Sequence, residues 1–230
     1  MTRFVLPPAP VPSISTTDGE SRFALRRVFC VGRNYAEHAR EMGHDPNREP
    51  PFFFTKPADA VIAAGQPVPY PPQTTDLHHE AELVVAIGTG GHDIPASSAL
   101  DHVWGYGIGN DLTRRDLQAQ AKKLGRPWDM AKGFNGSFVC GPLHPAASIG
   151  HPAQGAVRLW VNGTLRQDGD LSEMIWPVAD IIAHLSASVA LAPGDVIMTG
   201  TPAGVGALMR GDTCEIEIAG LGRITSTIAG

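Results

Sequence analysis

A β-rich α+β fold with few, short helices and many turns is what this sequence predicts, and three observations predict it. Glycine and proline are abundant, 26 and 20 of 230 residues, so turn positions are frequent. Clear helical periodicity is confined to a few short stretches. Several apolar runs are short, rich in β-branched residues and bounded by glycine or proline, which is how buried strands read. With 43% hydrophobic and 18% charged residues, the chain is long enough to bury one sizeable core. The expected organisation is a Pro-rich, extended N-terminal arm over residues 1–20 and a single domain over 21–230.

Bulk properties exclude some function classes. The net charge is −5 and no basic patch stands out, so no nucleic acid partner is expected. No apolar run reaches the length of a membrane span, and the N-terminus lacks the charged-then-apolar layout of a secretion signal. Cys30, Cys140 and Cys214 are isolated and odd in number, so they read as buried reduced thiols of a cytoplasmic protein.

In chain order, residues 26–32 read as a strand closed by Gly32. A short helix follows, which Asn34 can cap and Gly43 can end. His38 and Glu41 are three apart on it and share a face. A carboxylate beside an imidazole orients the ring as a general base requires, although such pairs also occur on plain solvated faces. Residues 50–57 form an aromatic strand between prolines, with Phe52, Phe53 and Phe54 expected in the core and Lys56 free to face either a site or solvent.

The segment that organises the chain is Asp76-Leu77-His78-His79-Glu80-Ala81-Glu82-Leu83-Val84-Val85-Ala86-Ile87-Gly88. From Ala81 to Ile87 it is apolar apart from Glu82 and reads as a strand buried on both faces. Side chains alternate, so Glu80 and Glu82 project to one side, in line with Val84 and Ala86. Two carboxylates at the mouth of an apolar strand repel each other, and burial raises that cost. A divalent cation such as magnesium or manganese resolves the conflict; a solvated strand end is the alternative.

Residues 103–111 read as a strand whose alternating glycines imply close backbone approach, without a dinucleotide fingerprint. Asp111 stands where this strand meets a helix over 114–124, with Leu117, Ala121 and Leu124 on its apolar face and Gly125 after it. Thr113 with Asp116 supplies a capping pair, which frees Asp111 to be a third carboxylate ligand. Lys132 falls in a loop over 128–134, where a lysine among apolar neighbours can clamp an anion. The C-terminal half adds a hairpin turning at Asn162-Gly163, a helix over 178–185, a strand over 196–199, a loop of tight turns over 200–206 and a strand over 214–218. That loop lacks the Lys-Ser/Thr end of a phosphate-binding loop, so a nucleotide site is not expected.

Four stretches in register resemble the fumarylacetoacetate hydrolase family. They are Cys30-Val31-Gly32-Arg33-Asn34-Tyr35-Ala36-Glu37-His38, His79-Glu80-Ala81-Glu82-Leu83, Asn110-Asp111-Leu112-Thr113-Arg114-Arg115-Asp116 and Gly200-Thr201-Pro202-Ala203-Gly204-Val205-Gly206. Arg48-Glu49-Pro50-Pro51-Phe52-Phe53-Phe54 and Gly169-Asp170-Leu171-Ser172-Glu173-Met174-Ile175-Trp176 are similar to its fumarylpyruvate hydrolase (acylpyruvase) branch, while residues 76–79 and 133–137 depart from it. The resemblance implies a mixed β-sheet roll, a homodimer, and Mg2+ or Mn2+ held by Glu80, Glu82 and Asp111. It implies a His38–Glu41 dyad on a helix that closes over substrate. It also implies catalytic help from Lys132 and substrate contacts from Arg33, Tyr35, Arg115, Gln118 and Thr201.

The activity so implied is hydrolysis of an acylpyruvate, foremost fumarylpyruvate to fumarate and pyruvate, in aromatic-compound (gentisate-type) catabolism. The alternatives are a lyase decarboxylating oxaloacetate or a related 2-oxo diacid, and a non-catalytic binder of metal and 2-oxo acid.

Overall fold

The computed structural model describes residues 4–43 and 49–230. Residues 1–3 of the arm, and Arg48 of the similarity noted at 48–54, lie outside them. The apolar runs become strands, as their β-branched content demands, and they assemble into a curled mixed sheet. Its strand order is Phe52–Lys56, Arg27–Gly32, Asp195–Met198, Ala81–Ile87, Val103–Asp111, Phe138–Cys140, Val61–Ala63. Arg27–Gly32 pairs parallel with Asp195–Met198, and Phe138–Cys140 pairs parallel with Val61–Ala63. The other neighbours along this order are antiparallel.

Ala81–Ile87 lies in the middle and every residue of it is buried. Its two faces serve two cores. Leu83, Val85 and Ile87 pack with Leu159, Val161 and Ile216 of a second, five-stranded sheet and with Ile181, Ile182 and Leu185 of the helix Val178–Ser188. Val84 and Ala86 pack with Val28, Cys30, Val196, Met198 and Phe138. The second sheet contains the expected hairpin, Ala156–Val161 with Thr164–Asp170, turning at Asn162 and Gly163 with positive φ at both. The three cysteines are buried free thiols.

The arm's Phe4, Val5, Leu6 and Val11 are exposed, but Ser13–Ser15 pairs with Arg22–Ala24 and Ile14 is buried in the second core.

Several local expectations are corrected. Asn34 does not cap the helix Ala36–Glu41; Tyr35 holds the N-cap position with no side-chain bond. The Asn34 amide is instead spent on distant backbone, donating to the Trp176 and Thr199 carbonyls and accepting from Trp176 N. The second helix, Arg115–Leu124, has Arg114 at its N-cap, again without a side-chain bond. Thr113 lies in the short strand Thr113–Arg114, and Asp116 binds Thr74 Oγ1 and the Thr75 amide rather than forming a capping pair. That helix buries Gln118 and leaves Leu124 exposed, so the side it turns inward is the polar one. The expected loop at 128–134 contains a short helix, Asp129–Lys132.

Candidate active site

Antiparallel pairing of the two central strands sets the site. Register places Glu82 opposite Gly109 and Ala81 opposite Asn110. Glu80 therefore meets Asp111, and Asp111 N donates to the Glu80 carbonyl at 2.9 Å. Glu80 itself sits just before its strand, where the Asn110 side chain accepts from its amide at 2.9 Å. Gly109 lies beneath the acids because nothing larger fits: a Cβ there would stand 2.6 Å from Val84 Cγ2 and 3.1 Å from Met198 Cε. The strand parity read from the sequence thus brings Glu80, Glu82 and Asp111 together, each buried, with ligand-capable oxygens all within 4.8 Å of one another.

Three cations surround the acids. Lys132 Nζ donates to Glu80 Oε2 and Asp111 Oδ2, both at 2.8 Å. Arg115 Nη2 donates to Glu80 Oε1, and Arg115 Nη1 to Gln118 Oε1 at 2.7 Å. Lys56 Nζ lies 2.7 Å from Asp111 Oδ1 and donates to the Leu112 and Lys132 carbonyls. Burial alone would raise the Glu80 carboxyl, but Lys132 and Arg115 hold it well below the usual range. Burial disfavours the Lys132 ammonium, yet Asp111 and Glu80 keep it firmly protonated.

Glu82 is different. Its one donor among the described residues is Gly200 N at 2.7 Å, and burial together with the charges of Asp111 and Glu80 pushes its carboxyl well up. A buried carboxylate with no counter-ion of its own, grouped with two others, fits a hard divalent cation. Glu80, Glu82 and Asp111 are the residues that would hold it, and hard oxygen donors suit magnesium or manganese.

The dyad forms as its spacing requires. His38 Nδ1 lies 3.2 Å from Glu41 Oε2, and Glu41 in turn accepts from Gly204 N at 3.1 and 3.2 Å. Burial pushes the Glu41 carboxyl up, but the bonds from His38 and Gly204 outweigh it and hold it below the usual range. Gly204 has φ +95°, and a Cβ there would meet the Arg166 carbonyl at 2.0 Å, so only glycine presents its amide to Glu41. With Nδ1 committed, Nε2 is the ring nitrogen left for the cavity that His38 lines.

That cavity gathers His38, Lys132, the three acids, Arg33, Arg115, Gln118 and Thr201. Tyr35 is not among its walls; it is buried in the main core. Phe52, Phe54, Lys122 and Trp128 complete much of the lining. Sequence reasoning placed the Phe residues in the core and left Lys56 undecided. Strand parity was the available signal, since Phe52, Phe54 and Lys56 fall on one face of their strand. Gln167 was also missed. It is fully buried, accepts from Ala81 N and donates to Thr201 Oγ1 and the Pro202 carbonyl, so it ties the loop at 200–206 to the central strand. No local pattern announces that role.

Fold and site together define a strand-rich protein built around a buried carboxylate centre, and the comparisons give it a family. The fumarylacetoacetate (FAA) hydrolase C-terminal family matches residues 27–229, and the chain belongs to that family. Its structure is similar to that of a fumarylpyruvate hydrolase from Pseudomonas aeruginosa in complex with Mn2+ and pyruvate. That similarity has a TM-score of 0.96 at 49% identity and covers 99% of each chain. The chain is 41% identical over 184 residues to a fumarylpyruvate hydrolase of Ralstonia sp, covering 80% of this chain and 95% of the relative. It is 43% identical over 198 residues to a mitochondrial oxaloacetate tautomerase of Rattus norvegicus, covering 85% of this chain and 88% of the relative.

Proposed function

We propose that the protein is a metal-dependent hydrolase that cleaves the C–C bond of an acylpyruvate, with fumarylpyruvate giving fumarate and pyruvate. The observation that carries this reading is one cavity in which a buried three-carboxylate centre faces both an oriented imidazole and a lysine. The Pseudomonas relative, with its Mn2+ and pyruvate, supports it. A divalent cation at the centre supplies Lewis-acid polarisation of the 2-oxo acid oxygens when bound.

The chain's own residues supply the rest. His38 Nε2, oriented through Nδ1 by Glu41, accepts a proton from water as it attacks the acyl carbonyl. The bond between that carbonyl carbon and the neighbouring methylene then breaks, its electron pair leaves as the pyruvate enolate, and the proton held by His38 passes to the methylene carbon to give pyruvate. Lys132 has three N–H groups and spends two on Glu80 and Asp111, so its third is available to the developing anion. Arg115 is placed beside Glu80 to receive the substrate carboxylate. The nucleophile in this reading is water, activated by His38. Mg2+ or Mn2+ as the metal, a homodimer, a cytoplasmic setting and a place in aromatic-compound catabolism belong to this proposal.

The test is a panel of acylpyruvates and 2-oxo diacids assayed with Mg2+ or Mn2+ and again with chelator. Fumarylpyruvate cleavage that needs the metal is expected; no acylpyruvate cleavage under any condition would refute the reading. A second reading, interconversion of the keto and enol forms of oxaloacetate, is favoured by the Rattus relative. It uses the same enolate handling and needs no attack by water, so enol formation without acylpyruvate cleavage would establish it instead.

A further inference from the structure

Two cations in the cavity are unaccounted for by the chemistry above. Lys132, Arg115 and Lys56 are committed to Glu80 and Asp111, and Glu82 is left to the metal. Arg33 and Lys122 also line the cavity, and neither has a carboxylate at ion-pair distance among the described residues. Lys122 is half-buried; burial, Arg115 and Arg33 all disfavour its charge, and the favouring charge is that of Glu80, which already serves two other cations. A half-buried ammonium beside two guanidinium groups is a costly arrangement unless something anionic comes to it. Arg33 adds a second sign of constraint. Its φ of +57° is the left-handed region, unfavourable for a side chain with a Cβ and characteristic of ligand clamps when the surroundings enforce it.

Aromatic rings carry both of these cations and Lys132. Lys132 Nζ lies 5.0 Å from the Phe54 ring centroid, and Phe54 stands 5.9 Å from Trp128. Lys122 Nζ lies 5.2 Å from the Trp128 centroid. Trp128 meets Phe52 edge-on at 5.4 Å, and the Arg33 guanidinium covers Phe52 at 5.3 Å. The cavity therefore combines the acids and Lys132 with aromatic walls and two further cations. That layout matches a substrate with an anionic 2-oxo acid head, a planar unsaturated middle and an anionic tail.

We propose that Lys122 and Arg33 anchor a second carboxylate at the acyl end of the substrate, so that this chain selects acylpyruvates whose acyl group itself ends in an acid. The inference rests on the acylpyruvate hydrolase reading and adds the selectivity that the cavity imposes on it. Arg115 and Lys132 hold the head, the Trp128 and Phe54 rings cover the double bond, and the two unpaired cations receive the tail. An acylpyruvate ending in a methyl group leaves that end uncompensated.

The experiment compares fumarylpyruvate with crotonylpyruvate, in which a methyl replaces the terminal carboxylate, on wild type, Lys122→Met and Lys122→Arg with Mg2+. Wild type should favour fumarylpyruvate by about tenfold or more in kcat/KM, chiefly through KM, the scale of one hydrogen-bonded charge contact. Lys122→Met should bring the ratio of the two substrates towards one, and Lys122→Arg should restore it. The ratio is internal to each variant, so partial misfolding does not alter it. A wild-type ratio near one, or a ratio that Lys122→Met leaves unchanged, overturns the proposal even if acylpyruvate hydrolysis is established. If wild type cleaves neither compound, the hydrolase reading fails and calorimetric binding of both compounds to the same three proteins decides the anchor. Tighter binding of fumarylpyruvate that is lost in Lys122→Met sustains it, and equal affinities overturn it.

Discussion

Replacing His38 by alanine tests the chemistry most directly. The ring is only 7% exposed, its Nδ1 is held at 3.2 Å by Glu41, and its Nε2 is left to the cavity. A base so positioned contributes about 10²–10⁴-fold. At roughly 1.4 kcal/mol per tenfold, that is about 3–5 kcal/mol of barrier. Because the ring is nearly closed off from bulk solvent, free water is a poor substitute, and the loss in kcat should fall in the upper part of that range. Glu80, Glu82, Asp111 and Lys132 are untouched, so metal binding should persist. Metal-promoted decarboxylation of oxaloacetate, which requires no activated water in its bond-breaking step, should fall less than hydrolysis.

Glu41→Gln sharpens the test. The carboxylate sits below its usual range partly through its bond to His38, and that bond orients the ring. Glutamine keeps the shape but loses the charge, so kcat should fall less than in His38→Ala while KM changes little. The assay is a pH–rate series on fumarylpyruvate for wild type and both variants, with melting curves to confirm folding. A His38→Ala protein that hydrolyses at the wild-type rate would reduce the helix Ala36–Glu41 to a cover for the site and remove the base from the mechanism.

Three further outcomes follow from the same geometry. Glu80→Ala, Glu82→Ala and Asp111→Ala each delete one acid of the centre, so each should weaken Mg2+ or Mn2+ binding in calorimetry and abolish turnover in a folded protein; full wild-type activity in chelator would refute the metal assignment. Lys132→Met should lower kcat more than it raises KM, because its free N–H acts on charge that develops in the transition state; the opposite split would make it a ground-state binding group. Gly109→Ala forces a Cβ to 2.6 Å from Val84 Cγ2 under the acids, which should cost about 1–3 kcal/mol by overpacking and lower Tm by several degrees; an unchanged Tm would mean the central strands can part.

What the sequence made legible was whatever depends on strand parity and near neighbours. The alternation at 80–86 placed both glutamates on one side, and the glycines at 105, 107 and 109 announced the close approach that the packing requires. The three-residue spacing of His38 and Glu41 gave their contact. Local rules failed where a distant partner outbid them. Asn34 is a good capping residue, yet its amide is taken by Trp176 and Thr199, 142 and 165 residues away. Asp116 accepts from Thr74 and Thr75 as well as from the Leu117 amide of its own helix, and makes no capping pair with Thr113. Lys56 and Gln167 earned their roles only through contacts across the fold, 56 residues on to the Leu112 carbonyl and 86 residues back to Ala81 N.

The parallel pairing of Arg27–Gly32 with Asp195–Met198 has a consequence for how the molecule comes into being. The register joins Val28 to Val196 and Cys30 to Met198 across most of the chain's length. Ala81–Ile87 needs that same late strand as its neighbour, and Glu41 needs Gly204. During synthesis, then, the middle of the sheet stays open until residues 195–204 have emerged. Closing such long loops before any reward is collected makes assembly slow relative to helical proteins of this size. In refolding, secondary structure should return before catalysis does. Recovered turnover then reports closure of the whole sheet, a final event that partial assembly cannot imitate.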